Sequence, residues 1–113
     1  MAAAANLRID QGTTFTTDVT VKDNAGDAFD LTGYTASAKM AKGYASTKTR
    51  VTMTAIVTSA STGVITLSLT ADETNALDAP ARYVYDVEIL RTSDSTITRV
   101  IEGIITVSPS VTT

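Results

Sequence analysis

Apolar and polar residues alternate with a period of two along most of this chain, and that feature restricts it to sheet. In "TTFTTDVTVK" (13–22), Phe15, Thr17, Val19 and Val21 share one face, while Thr16, Asp18, Thr20 and Lys22 share the other. Successive side chains of a strand point to opposite faces, so this segment reads as a half-buried strand. "YTASAKMAK" (34–42) repeats the pattern, with Tyr34, Ala36, Ala38 and Met40 inward and Thr35, Ser37, Lys39 and Ala41 outward. "VTMTAIVT" (51–58) turns Val51, Met53, Ala55 and Val57 inward, and "VITLSLT" (64–70) does the same with Ile65, Leu67 and Leu69. The clearest case is "ARYVYDVEILR" (81–91), where Tyr83, Tyr85, Val87 and Ile89 oppose Val84, Asp86 and Glu88. "TITRVIEGIITV" (96–107) loses phase, because Val100 and Ile104 oppose Ile97, Ile101 and Ile105. Gly103 sits at this break, and a glycine inside a strand marks a bulge or a close backbone approach.

Turn chemistry separates these runs. Asp23, Asn24 and Gly26 break the chain after the first, because Asn and Gly tolerate positive φ and Asp bonds its own backbone. "SASTG" ends on Gly63, and "TSDS" precedes the last run. "TADETNALDAP" departs from alternation. Thr70 with Glu73 three residues later makes a capping box, so a short helical turn is expected near 71–77, with Leu77 plugging one end of the core. The result is an all-β chain of six to seven strands, best read as an immunoglobulin-like antiparallel β-sandwich, with a small up-and-down barrel as the alternative. Roughly a fifth of the residues are Thr, which suits a half-exposed pleated surface. The expected organisation is a flexible N-terminal arm over 1–6, one sandwich domain over 7–108 and a C-terminal tail over 109–113.

Composition narrows the function. With 113 residues, 43% of them apolar, one core is expected. The chain has no Cys and no His, so it lacks thiol chemistry, the usual general base and the commonest metal ligand. A non-enzyme without cofactor is expected. The net charge of −3 argues against nucleic acid and anionic membranes as partners. "MAAAANLRID" lacks the basic and apolar regions of a secretory leader and reads as an exposed arm.

Three polar groupings invite sharper readings. Asp23, Asp27 and Asp30 are acidic, but "DNAGDAFD" lacks the ordered oxygen ligands of a Ca²⁺ loop, and turn chemistry explains it. Asp86 and Glu88 lie about 7 Å apart on one strand face. A solvated face paired with Arg99 or Lys39 fits them better than the carboxylates of a glycosidase. "KGYASTKTR" gathers Tyr44, Lys48 and Arg50 in a loop whose residue types suit an interface. Those three and Gly103 are the candidate interface residues.

"FDLTGYT" remains. Asp30 caps the turn through an N–H two residues on, Leu31 folds into the core, Gly33 supplies positive φ and Tyr34 starts the next strand inward. Asp30, Leu31, Gly33 and Tyr34 thus form a structural corner between two sheets. In order, "IDQGTTFTTDVTV", "DLTGYTASAKMAK", "STGVITLSLTADETNAL", "ARYVYDVEIL" and "TRVIEGIITVSP" resemble the N-terminal domain of phage baseplate upper proteins. A wider group of small tailed-phage virion proteins, including those of cyanophages, is similar. The resemblance covers roughly residues 7–109 and supplies no catalytic residues. It implies a virion structural protein assembled in the host cytoplasm as a tail or baseplate component, with other virion proteins and further copies of itself as partners. In one respect the chain is expected to depart from baseplate upper proteins, by stopping after this first domain, without a stalk or receptor-binding extension, which leaves its location within the virion open. A capsid decoration or cement protein bound to the major capsid protein is the first alternative. A carbohydrate- or receptor-binding module is the second, and the absence of Trp counts against it.

Overall fold

The structure, a computed structural model, describes residues 3–23, 25–43 and 49–110. It is all-β with one short helix. The elements are β1 (Ala3–Ala4), β2 (Leu7–Asp10), β3 (Phe15–Thr20), β4 (Tyr34–Ala41), β5 (Val51–Ser59), β6 (Val64–Leu69), α1 (Ala71–Asn75), β7 (Ala81–Arg91) and β8 (Thr96–Ser108). The strands follow the order β1-β8-β7-β4-β5-β6-β3, with β2 also paired to β8. β5 belongs to two ladders. Its first residues, Val51–Met53, pair with β4, and its Thr54–Ser59 half pairs with β6. The sheet thereby curls so that both ladders close over one core, in which Ile9, Ile65, Leu67, Val87, Ile105 and Val107 are wholly buried.

Burial follows the expected parity in most strands. β6 alternates with Ile65, Leu67 and Leu69 buried, and β7 does so with Tyr83, Tyr85, Val87 and Ile89. Ala41 departs from it. It lies in register with outward Val84, yet it is buried, in a small recess it shares with Gly43 and Arg50.

Two expectations about the N-terminus are corrected. Residues 3–6 are not a free arm: Ala3 and Ala4 pair with Ile101 and Glu102, and Leu7–Asp10 continue along Ile105–Ser108. Both pairings run parallel to β8, so the sheet is mixed rather than antiparallel. The stretch "IDQGTTFTTDVTV" (9–21) is divided between two strands. The Asp10 carbonyl accepts from the Thr13 N–H and hydroxyl at 3.2 and 2.6 Å, and Gly12 takes φ +81°. This turn breaks the chain into β2 on one ladder and β3 on the other, which is why β2 can lie parallel to β8.

The loss of phase in β8 has a specific origin. Val87 faces Ile101 and Glu88 faces Arg99, so Val100 has no partner across the ladder. This bulge turns Val100 and Ile101 both inward. It also reverses the parity of the residues before it. Ile97 and Ile104 have opposite parity in sequence but emerge on the same outer face, next to Leu90 and Val84 respectively.

The helix forms as its residues dictate. Thr70 Oγ1 accepts from the Glu73 N–H and Glu73 Oε1 accepts from the Thr70 N–H, closing the capping box. Leu77 follows it into the core.

Candidate interaction surfaces

The corner at residues 30–34 is built as its sequence indicates. Asp30 Oδ1 accepts from the Thr32 N–H at 3.0 Å and the Thr32 hydroxyl at 2.7 Å. These bonds, the hydroxyl's first, hold its carboxyl below the ordinary value. Leu31 is 1% exposed, and its N–H donates to the Ala60 carbonyl. Gly33 takes φ +84°, a conformation that suits a residue without Cβ. Tyr34 packs edge-on against Phe29, and its hydroxyl accepts from Arg91. The corner carries β3 of one ladder into β4 of the other.

Gly103 is a close approach; the bulge lies at Val100. A Cβ on Gly103 would come within 1.9 Å of the Ala5 carbonyl oxygen. The Ala5 backbone fills the place of the missing side chain. Its N–H donates to the Glu102 carbonyl at 2.9 Å, and its carbonyl accepts from the Tyr85 hydroxyl at 2.6 Å. Beside it, Asn6 Oδ1 accepts from the Ile104 N–H, so a side-chain amide satisfies the ladder where the strand is interrupted. Gly103 therefore serves an internal contact within the chain.

Sequence reasoning passed over a polar latch. Thr74 is fully buried, donates to the Thr13 and Ala71 carbonyls and accepts from the Gly12 N–H. Gln11 extends the latch: its amide donates to the Leu77 carbonyl at 2.9 Å and accepts from the Ser110 N–H. Thr and Gln in polar loops carry no pattern of their own, and their role appears only when α1 meets the turn at 11–14.

Of the loop candidates, Tyr44 and Lys48 lie outside the described residues. Arg50 donates to the Gly43 carbonyl at 3.1 Å and lines an outer-face hollow with Lys39, Asp86 and Glu88. Asp86 is paired across the sheet as expected, its Oδ2 3.3 Å from Arg99 Nε, while Glu88 stands opposite Arg99 in the ladder. Asp23 makes the anticipated turn, its carboxylate accepting from the N–H groups of Ala25 and Asp27; Asn24 lies outside the described residues. No cluster of three or more acidic residues suited to a metal occurs among the described residues.

Two surfaces remain open. Among the described residues, β3 pairs only with β6 and β2 only with β8, and these edge strands flank a groove of about 420 Å³ lined in part by Leu7, Phe15 and Thr17. Unpaired edges accept added strands. The outer face of β4, β7 and β8 is the second, and Ile97 and Ile104 stand 64% and 40% exposed on it.

No family model matches this chain, and no curated protein matches it.

Proposed function

We propose that this protein is a non-enzymatic structural component of a tailed-phage virion, placed in the tail or baseplate. The observation that carries the reading is the exposure of Ile97 and Ile104 on the same sheet face, beside two strand edges, of β2 and β3, that are unpaired among the described residues. Exposed large apolar groups and free edges are hazards to a solitary domain and become useful when neighbours cover them. The ordered resemblance to baseplate upper proteins supports the same reading. Its mechanism is protein–protein contact repeated over many copies, each of modest area and strengthened by multivalency. A capsid decoration role uses the same surfaces and is the second reading.

Cryo-electron microscopy of purified particles, with heads and tails separated, tests the placement. Density at the tail end or neck supports it. Density on the head lattice transfers the protein to capsid decoration. Absence from particles overturns the virion reading.

A further inference from the structure

Residues 3–10 hold to the molecule along one strand. Ala3 and Ala4 pair with Ile101 and Glu102, and Leu7–Asp10 pair with Ile105–Ser108, all on β8. The other edge of β2 borders the groove, and among the described residues no ladder joins it to β3. Releasing the segment therefore breaks one parallel ladder and leaves the ladders of β3 to β8 intact. The seat on β8 is specific. It consists of the hollow over Gly103, the Tyr85 hydroxyl that donates to the Ala5 carbonyl, the Ile104 N–H that donates to Asn6 Oδ1, and the core site of Ile9.

The turn that follows is held independently of the segment. Thr74 accepts from the Gly12 N–H and donates to the Thr13 carbonyl, and the Gln11 amide donates to the Leu77 carbonyl. These bonds do not involve residues 3–10, so the pivot for release falls at Asp10 and Gln11. The vacated seat cannot stay bare, because it would expose the β8 edge and the buried Ile105 and Val107. The occupant that matches it is already known: the same segment of this sequence.

We propose that residues 3–10 exchange between copies of the chain, each segment seating on β8 of another copy. An exchanged segment remakes the contacts that the structure shows for the chain's own. It gives up the turn at the pivot, where the exposed Thr13 hydroxyl donates to the Asp10 carbonyl. Own-chain seating has the advantage of a short tether, equivalent to an effective concentration on the order of mM. Dilute protein therefore stays unexchanged, and exchange grows where copies are held at comparable density. A crowded particle supplies that density, and in this respect the inference rests on the assembly reading; exchange itself is measurable in the isolated protein.

The chain has no Cys, so introduced thiols report the pairing. Chains carrying Ala4→Cys are mixed at ~1 mM with chains carrying Glu102→Cys and oxidised, which traps exchanged pairs as they form. Ladder partners ~4.8 Å apart are within reach of a disulfide. The expected product is a disulfide-linked heterodimer, seen by non-reducing electrophoresis, whose yield falls at least ~10-fold at ~10 μM. Ile56→Cys, at an isoleucine 55% exposed on β5, replaces Glu102→Cys as the collision control and gives far less. Adding Gly103→Ala to the Glu102→Cys chain closes the seat and lowers the yield to that of the control. Circular dichroism of each variant checks the fold. A chain carrying both Ala4→Cys and Glu102→Cys closes its disulfide internally when dilute, which shows that the pair can be bridged.

A heterodimer no more abundant than the Ile56→Cys control overturns the proposal, as does one that survives Gly103→Ala. A doubly substituted chain that stays open when dilute overturns it too, because the seat itself is then absent. Exchange in solution with no density in particles keeps the proposal and removes the virion reading. Density in particles without exchange does the reverse.

Discussion

The hydroxyl of Tyr85 donates to the carbonyl of Ala5, 80 positions earlier in the chain, at 2.6 Å. Tyr85 stands opposite Gly103 on the neighbouring strand, and Gly103 leaves the space that Ala5 occupies. One strand's glycine and the next strand's tyrosine together hold the N-terminal segment on the sheet.

Gly103→Ala tests this seat. The new methyl collides with backbone, which cannot rotate away as a side chain can. The expected outcome is release of residues 3–6 from β8 and a loss of roughly 2–4 kcal/mol, the range of a disrupted buried backbone contact. Urea denaturation measures the loss. Amide exchange at Ala5 and Ile104 should accelerate, while exchange at Ile65 and Leu67 should slow or quicken only with global stability.

Tyr85 also makes stability depend on alkaline pH. Burial pushes its hydroxyl up to about 12, against about 10 in the unfolded chain. The folded state keeps its proton where the unfolded state releases it. The contribution is therefore complete below about pH 10 and is lost as pH rises toward 12. Two pKa units correspond to at most ~2.7 kcal/mol. Tyr85→Phe should remove this alkaline slope while lowering stability at neutral pH by ~1 kcal/mol, because the Ala5 carbonyl loses its donor. Denaturation midpoints across the alkaline range compare the two chains, and identical slopes would refute the assignment.

Thr74→Val keeps the shape of the latch and removes its hydroxyl. The Gly12 N–H and the Thr13 carbonyl then lose their buried partner. An expected cost of ~2–3 kcal/mol follows from leaving such groups unsatisfied. Thr74→Ser should recover most of it, which separates hydrogen bonding from packing.

Leu31→Ala probes the corner. Leu31 is 1% exposed among core residues of both ladders. Truncation should cost about 2–5 kcal/mol, depending on how far the cavity collapses. Thermal unfolding monitored by circular dichroism reads the change. Thr32→Ala at the exposed turn should have a much smaller effect.

Local pattern and tertiary contact divide the account of this protein between them. Strands β3 to β8 were legible because a period of two needs only the side chains of one segment, and Tyr83, Tyr85, Val87 and Ile89 show it without reference to anything else. The capping box of Thr70 and Glu73 and the Asp30–Thr32 turn were legible for the same reason, since their bonds close within three residues. The seat of Ala5 on Gly103 was not legible: "MAAAANL" carries no alternation, and its strand exists only because β8 offers an unpaired edge. Nor was the Thr74 latch, whose partners Gly12 and Thr13 lie more than 60 positions away. The bulge at Val100 belongs to both levels. Its confused phase was visible, but only the ladder with β7 decided which residue would go unpaired, and so which isoleucines would share the outer face. Sequence determines what a segment prefers within a few residues. Register, edge pairing and the face a bulged strand presents are settled by partners distant in the chain, because those hydrogen bonds do not exist until the sheet closes.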